Sequence, residues 1–237
     1  MTMPATHLIV EKPVWDPAAN SLSWRGQLAL RLVAAPIASS YLNEWERLGW
    51  VWAIPDRRGG AASTKRGRGR RHAIGLLKRS QRGNALLQFA SVQGALLWWP
   101  AEWTTGRDAA MPTAACDAAH HPAPRPRPTV VAGEQTHLIV EKPIWDRQAG
   151  ELSWGGKVIA AFTDRASVVA ELLDEWELRG WLWVIVDPLG RDAIGDPTQS
   201  LRHAVYRLNE HQGERRAIHF AAIHHGLVCW YPAEWLT

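Results

Sequence analysis

The chain has 237 residues, 46% hydrophobic and 21% charged, a globular balance that supports packed cores without metal or disulfide staples. Its two cysteines, Cys116 and Cys229, have no paired spacing, which argues against a disulfide framework or zinc ribbon, and no apolar run nears the roughly 18–20 residues that cross a bilayer. With no basic-then-apolar leader pattern, the expectation is a cytoplasmic protein without a membrane partner, whose net charge of +4 conceals an internal asymmetry.

The first informative segment, Thr6-His-Leu-Ile-Val-Glu-Lys-Pro-Val-Trp-Asp16, returns almost unchanged as Thr136-His-Leu-Ile-Val-Glu-Lys-Pro-Ile-Trp-Asp146. A match of that length marks an internal duplication. It continues through Leu22-Ser-Trp24 and Leu152-Ser-Trp154, Glu44-Trp45-Glu46 and Glu175-Trp176-Glu177, Gly49-Trp50 and Gly180-Trp181, and Arg71-His72-Ala73 and Arg202-His203-Ala204. Each copy closes on Pro-Ala-Glu-Trp, at Trp103 and Trp235. Copy 1 therefore covers residues 1–104 and copy 2 residues 136–237, with a linker at 105–135 whose Pro122-Ala-Pro-Arg-Pro-Arg-Pro128 run favours extended polyproline II. The linker's His120-His121 pair has no further ligands nearby and reads as solvated. Each copy carries its own strand, helix and tryptophan set, so each is expected to fold alone.

Within a copy, Leu152-Ser-Trp154, Gly155-Gly156 and Lys157–Phe162 predict a hairpin. Val168, Val169, Leu172, Leu173 and Trp176 fall at helical spacing over Ser167–Arg179, with Gly180 as the stop and Glu171, Asp174, Glu175 and Glu177 on a solvent face. Copy 1 repeats the helix with Tyr41, Leu42, Trp45, Leu48 and Gly49. After a connection broken by Pro188, Gly190, Gly195 and Pro197, residues Leu201–Glu210 predict a second helix. Leu201, Ala204, Val205 and Leu208 face inward; Arg202, His203, Tyr206, Arg207 and Asn209 face outward. Ala217–Ala222 and Leu227–Trp230, on either side of His224-His225-Gly226, predict a closing hairpin.

This order of hairpin, helix, long loop, helix and hairpin resembles the winged-helix effector domain of response regulators of the OmpR/PhoB type. The helix-then-hairpin segments beginning at Arg71-His-Ala-Ile-Gly-Leu-Leu-Lys-Arg79 and Arg202-His-Ala-Val-Tyr-Arg-Leu-Asn-Glu210 carry the likeness. The resemblance implies an α+β fold made of two winged-helix-like units in tandem, with the second helix of each in a DNA major groove and the last hairpin as the wing. It places Arg71, His72, Gly75, Lys78 and Arg79 of copy 1 and Arg202, His203, Tyr206 and Asn209 of copy 2 against DNA.

The charges agree with a division of labour. Copy 1 up to Thr104 has fourteen basic and six acidic residues, a net of +8, and copy 2 from Thr136 has ten and fourteen, a net of −4. The densest basic run is Lys65-Arg-Gly-Arg-Gly-Arg-Arg71, read as a flexible loop entering the second helix, where Lys65, Arg66, Arg68 and Arg70 can follow a phosphate backbone. Exchange of Lys78 and Arg79 for Asn209 and Glu210 makes copy 2 the weaker DNA binder. The expected partner is nucleic acid, double-stranded DNA first; the alternative is an adaptor in which acidic copy 2 docks a protein.

Fifteen tryptophans against three Phe and three Tyr sit largely at matched positions in the two copies, which points to shared packing rather than to platforms for sugars or bases. No nucleophile motif or glycine-rich phosphate loop is present, Asp56 and Asp187 read as turn residues, and His219, His224 and His225 face Gln88, Val92 and Gln93 in the other copy. The sequence therefore predicts no enzyme, cofactor or metal.

Overall fold

The structure is a computed structural model that describes residues 7–55, 66–81, 85–92, 94–105, 136–164, 167–189, 197–213, 216–223 and 226–236. Copy 1 opens with strand β1 (His7–Glu11) and an antiparallel meander of β2 (Val14–Asp16), β3 (Ser21–Trp24) and β4 (Gln27–Arg31). Alternation of period 2 turns Trp15, Leu22, Trp24 and Leu30 inward and leaves Val14, Asp16 and Leu28 exposed. Arg25 and Gly26, at φ 51° and 71°, make the turn between β3 and β4, as Gly155 and Gly156 do in copy 2 at 61° and 69°.

Helix α1 (Pro36–Arg47) starts on proline and buries Ala38, Tyr41, Leu42 and Trp45, the stripe expected of 3.6-residue periodicity. It stops in a Schellman motif: Trp50 N–H donates to the Trp45 carbonyl at 2.8 Å and Gly49 N–H to that of Glu46 at 3.0 Å. The Trp50 ring stacks on Trp45 with centroids 6.3 Å apart and donates its Nε1–H to Glu46. After α1 come β5 (Ala53–Pro55), α2 (Arg66–Arg79), β6 (Leu87–Val92), β7 (Ala95–Pro100) and the short helix α3 (Glu102–Thr105), the second sheet having the antiparallel order β5-β7-β6.

Copy 2 repeats the plan: β8 (His137–Glu141), β9 (Ile144–Asp146), β10 (Glu151–Trp154), β11 (Lys157–Ala161), α4 (Val168–Leu178), β12 (Val184–Val186), α5 (Pro197–Glu210), β13 (Ile218–Ile223), β14 (Leu227–Pro232) and a closing 3₁₀ turn at Ala233–Leu236. Ser167 caps α4, its Oγ accepting from the Ala170 N–H. Trp176, Glu177, Gly180 and Trp181 rebuild the Schellman stop of copy 1.

The α+β class and the hairpins and helices agree with expectation, and the sequence reading missed β1, β2 and β5 together with their counterparts β8, β9 and β12. A larger difference concerns the relation between copies. Strands β1 and β8 pair with each other, antiparallel, in the register His7 to Glu141, Leu8 to Val140, Ile9 to Ile139, Val10 to Leu138 and Glu11 to His137. Each pair is the exchange of another, and Ile9 faces its own duplicate, so a pseudo-twofold axis passes there.

The same axis passes between Trp52 and Trp183, stacked at 4.2 Å with planes 8° apart. Trp52 Nε1–H donates to the Trp230 carbonyl at 2.9 Å, and Trp183 Nε1–H returns the bond to Trp98 at 3.0 Å. Trp235 meets Trp52 edge-on at 4.3 Å, and Trp103 meets Trp183 at 4.2 Å. One continuous buried cluster runs through both copies. The expectation of two separate cores is therefore corrected: the copies are joined as the subunits of a symmetric dimer would be, within one chain.

In the closing hairpins β7 is buried at all six positions and β14 at five of six. Both are central strands, with β5 or β12 on one side and β6 or β13 on the other.

Candidate nucleic-acid interface

Helix α2 is held to the body by Ala73, Ile74 and Leu77, all buried, and by Gln81 just beyond its end, whose amide donates to the Leu87 carbonyl at 2.6 Å and ties the helix to β6. Positions between those anchors turn outward. Arg71, His72, Lys78 and Arg79 are exposed and Gly75 is half-buried, a set spaced i, i+1, i+4, i+7 and i+8 along one side of the helix. A Cβ on Gly75 would meet Arg79 Nη1 at 3.3 Å, so the guanidinium folds back along the ridge over the glycine. The helix contains Arg66, Arg68, Arg70, Arg71, Lys78 and Arg79 and no Asp or Glu.

The basic run expected as a loop is corrected in part: Arg66 to Arg70 belong to the backbone of α2, glycines included. Their side chains, and Lys65, lie outside the described residues.

In copy 2, Arg202, His203 and Tyr206 are exposed on α5, at the positions of Arg71, His72 and Gly75. Tyr206, 61% exposed, donates its hydroxyl to Glu210 Oε1 at 3.3 Å, the same i, i+4 step that joins Gly75 and Arg79. Asn209 is a correction. It is 6% exposed; its Nδ2 donates to the Val205 and Phe220 carbonyls at 3.0 and 2.8 Å, and its Oδ1 accepts from the Phe220 N–H at 2.9 Å. A side chain with its donors and acceptor spent on the backbone of α5 and β13 cannot read a base. Its place i+4 from Val205 puts it beside the apolar stripe, a signal present in the sequence and passed over.

The acidic face of α4 is likewise not an open patch. Asp174 accepts from Trp145 Nε1 at 2.9 Å and from Arg147, Glu175 pairs with Arg179 at 2.5 Å, and Glu177 accepts from Trp181 Nε1 at 2.6 Å. Three of its four acids thus serve indole N–H groups or arginines of their own copy.

Tryptophan packs as expected: Trp98, Trp99 and Trp103 are buried, and Trp154, half-buried, gives its N–H to the Glu141 carbonyl at 3.2 Å. Asp187 makes the expected turn, accepting from the Leu189 N–H at 2.9 Å, and burial raises its pKa. His219 packs tilted against Tyr231, ring centroids 5.1 Å apart, and burial, then the charge of Arg216, lowers its pKa. His224 and His225 lie outside the described residues, among which no group of three His, Cys, Asp or Glu side chains is placed to hold a metal ion. No described helix is long and apolar enough to cross a membrane. No protein-family model matches the chain, and no curated protein or solved structure is detectably similar to it.

Proposed function

We propose that the outward ridge of α2 binds nucleic acid, double-stranded DNA in the first instance, in a cytoplasmic protein that performs no chemistry on its partner. The observation that carries this reading is the ridge itself: Arg71, His72, Lys78 and Arg79 exposed together on a helix without an acid. Cations held on one side of a helix, Arg71 two turns from Lys78 and Arg79, can meet a phosphate backbone, release its counterions and bind it in a salt-dependent way.

The test is a salt titration of duplex binding by the full chain and by Arg71→Ala/Lys78→Ala/Arg79→Ala. If each lost cation frees one phosphate, the logarithmic salt slope falls by about three. Arg66→Ala/Arg68→Ala/Arg70→Ala should weaken binding to all duplexes alike. A ridge variant that binds as the parent does at every salt concentration removes the proposal.

A second reading, an adaptor that docks a protein, has its own support in matched apolar residues on the outer faces of the two meanders. Val14 lies across Ser23 from Leu28, and Ile144 lies across Ser153 from Val158; all four aliphatic residues are exposed. Ile144→Asp/Val158→Asp separates the readings, because it would spoil an apolar dock on copy 2 and leave the α2 ridge's salt slope on DNA unchanged.

A further inference from the structure

The pseudo-twofold axis has a consequence for the kind of nucleic acid that fits. Helix α2 packs on β6, α5 packs on β13, and β6 and β13 approach one another between the copies. The two helices therefore flank the axis, each one strand away from it, and the axis relates their outward ridges. On those ridges one exposed pair is the same in both copies: Arg71 and His72 on α2, Arg202 and His203 on α5. Farther along, the ridges differ. Gly75 corresponds to Tyr206, Arg79 to Glu210, and Lys78 to an asparagine that is turned inward.

We infer that the protein is a single-chain pseudo-dimer that spans a duplex, with α2 and α5 on two half-sites related by inversion, the α2 half held more tightly. The inference rests on the proposed function and names its substrate. The two strands of a duplex are antiparallel and related by local twofold axes, so a twofold protein meets the same backbone geometry with each half. A single strand or an acidic peptide has no such axis and would engage only one helix. The Arg–His pairs make the contact common to both halves, and Lys78 and Arg79 supply the surplus on one.

The experiment uses the full chain, a duplex of about 24 base pairs selected from a random library, and its isolated single strand. It compares the parent with Arg202→Ala/His203→Ala. Both residues are exposed, so the fold tolerates the change, and a circular dichroism melt checks that it has. The expected result is two backbone-protected patches on the duplex, unequal in strength. The α5 variant should lose the weaker patch and about tenfold in duplex affinity while keeping its affinity for the single strand.

One protected patch for the parent, or an α5 variant that binds the duplex unchanged, overturns the bipartite arrangement while the Arg71/Lys78/Arg79 result leaves the α2 reading intact. Equal losses on duplex and single strand overturn it as well, since α5 would then be acting as a second polyanion patch without regard to symmetry. If the parent binds neither probe, the α2 reading and the duplex arrangement fall together.

Discussion

Trp183→Ala tests whether the two copies are one cooperative body. Trp183 is 1% exposed, stacks on Trp52, and receives the edges of Trp98 and Trp103. Truncating a buried tryptophan to alanine costs about 3–5 kcal/mol. Loss of the aromatic geometry adds about 0.5–1.5 kcal/mol. The Trp98 carbonyl, which accepts the Trp183 N–H at 3.0 Å, would be left without that donor at about 1–3 kcal/mol. Together these come to about 4.5–9.5 kcal/mol, a large part of the roughly 5–15 kcal/mol that holds an ordinary protein folded.

Trp183→Phe keeps the six-membered ring and loses the pyrrole ring with its N–H, so the expected cost lies above the unpaired carbonyl's own, about 1–3 kcal/mol, and below that of Trp183→Ala. Val158→Ala, at a position 55% exposed, should stay within about 0.5 kcal/mol of the parent. Guanidinium unfolding followed by far-ultraviolet circular dichroism reads all three. One transition is expected for the whole chain, moving as a unit to a lower midpoint. A cost under about 2 kcal/mol for Trp183→Ala, or two transitions of which only the copy 2 step moves, would refute the shared core.

The inter-copy interface also predicts that a chain cut once, at a protease site introduced between residues 106 and 135, stays together, because Trp52, Trp183 and the β1–β8 ladder do not depend on the linker; elution as two half-mass species at micromolar concentration would exclude this. Acid sensitivity should depend on His219. Burial lowers its pKa below the ordinary 6.5, so as pH falls past that value the unfolded chain takes the proton first and the folded state loses stability. His219→Gln, which installs the Gln88 of copy 1, should flatten stability below about pH 6.5; acid limbs that superimpose for parent and variant would show that His219 has no part in it.

The duplication, the two helices of each copy and the closing hairpins were legible because each is local: an identical segment, a 3.6-residue stripe, two short apolar runs about a glycine. β1 was not. Its Leu-Ile-Val run does not alternate apolar with polar, although Leu8 and Val10 are buried and Ile9 is exposed, and its hydrogen-bonding partner β8 is the same sequence in the other copy. Such an isologous pairing leaves no complementary pattern to find. The basic run of α2 misled for a different reason: Gly67 and Gly69 each cost a helix about 1 kcal/mol relative to alanine, and tertiary anchoring at Ala73, Ile74 and Leu77 overrides that local preference. On α5, Asn209 was assigned by residue type to the outside, whereas its side chain completes the backbone pairing of Phe220.

The two copies differ where the fold permits it. Along α2 and α5 the inward pairs Ala73/Ala204, Ile74/Val205 and Leu77/Leu208 keep size and polarity, as dense packing demands. Outward positions carry no such constraint, and there Arg79 stands opposite Glu210 and Gly75 opposite Tyr206. The swing from a net of +8 in copy 1 to −4 in copy 2 includes exposed exchanges such as Arg79 for Glu210, at positions the core does not depend on. Part of the acidity of copy 2 is also accounted for internally, since Asp174 and Glu177 hold indole N–H groups in place. The corresponding acceptors in copy 1 are Asn43 and Glu46, so at one of the two positions the exchange adds a negative charge without changing the hydrogen bond it makes. Electrostatic divergence between the halves is therefore read most directly from α2 and α5, where an exposed cation is replaced by a group that either points inward or bears the opposite charge.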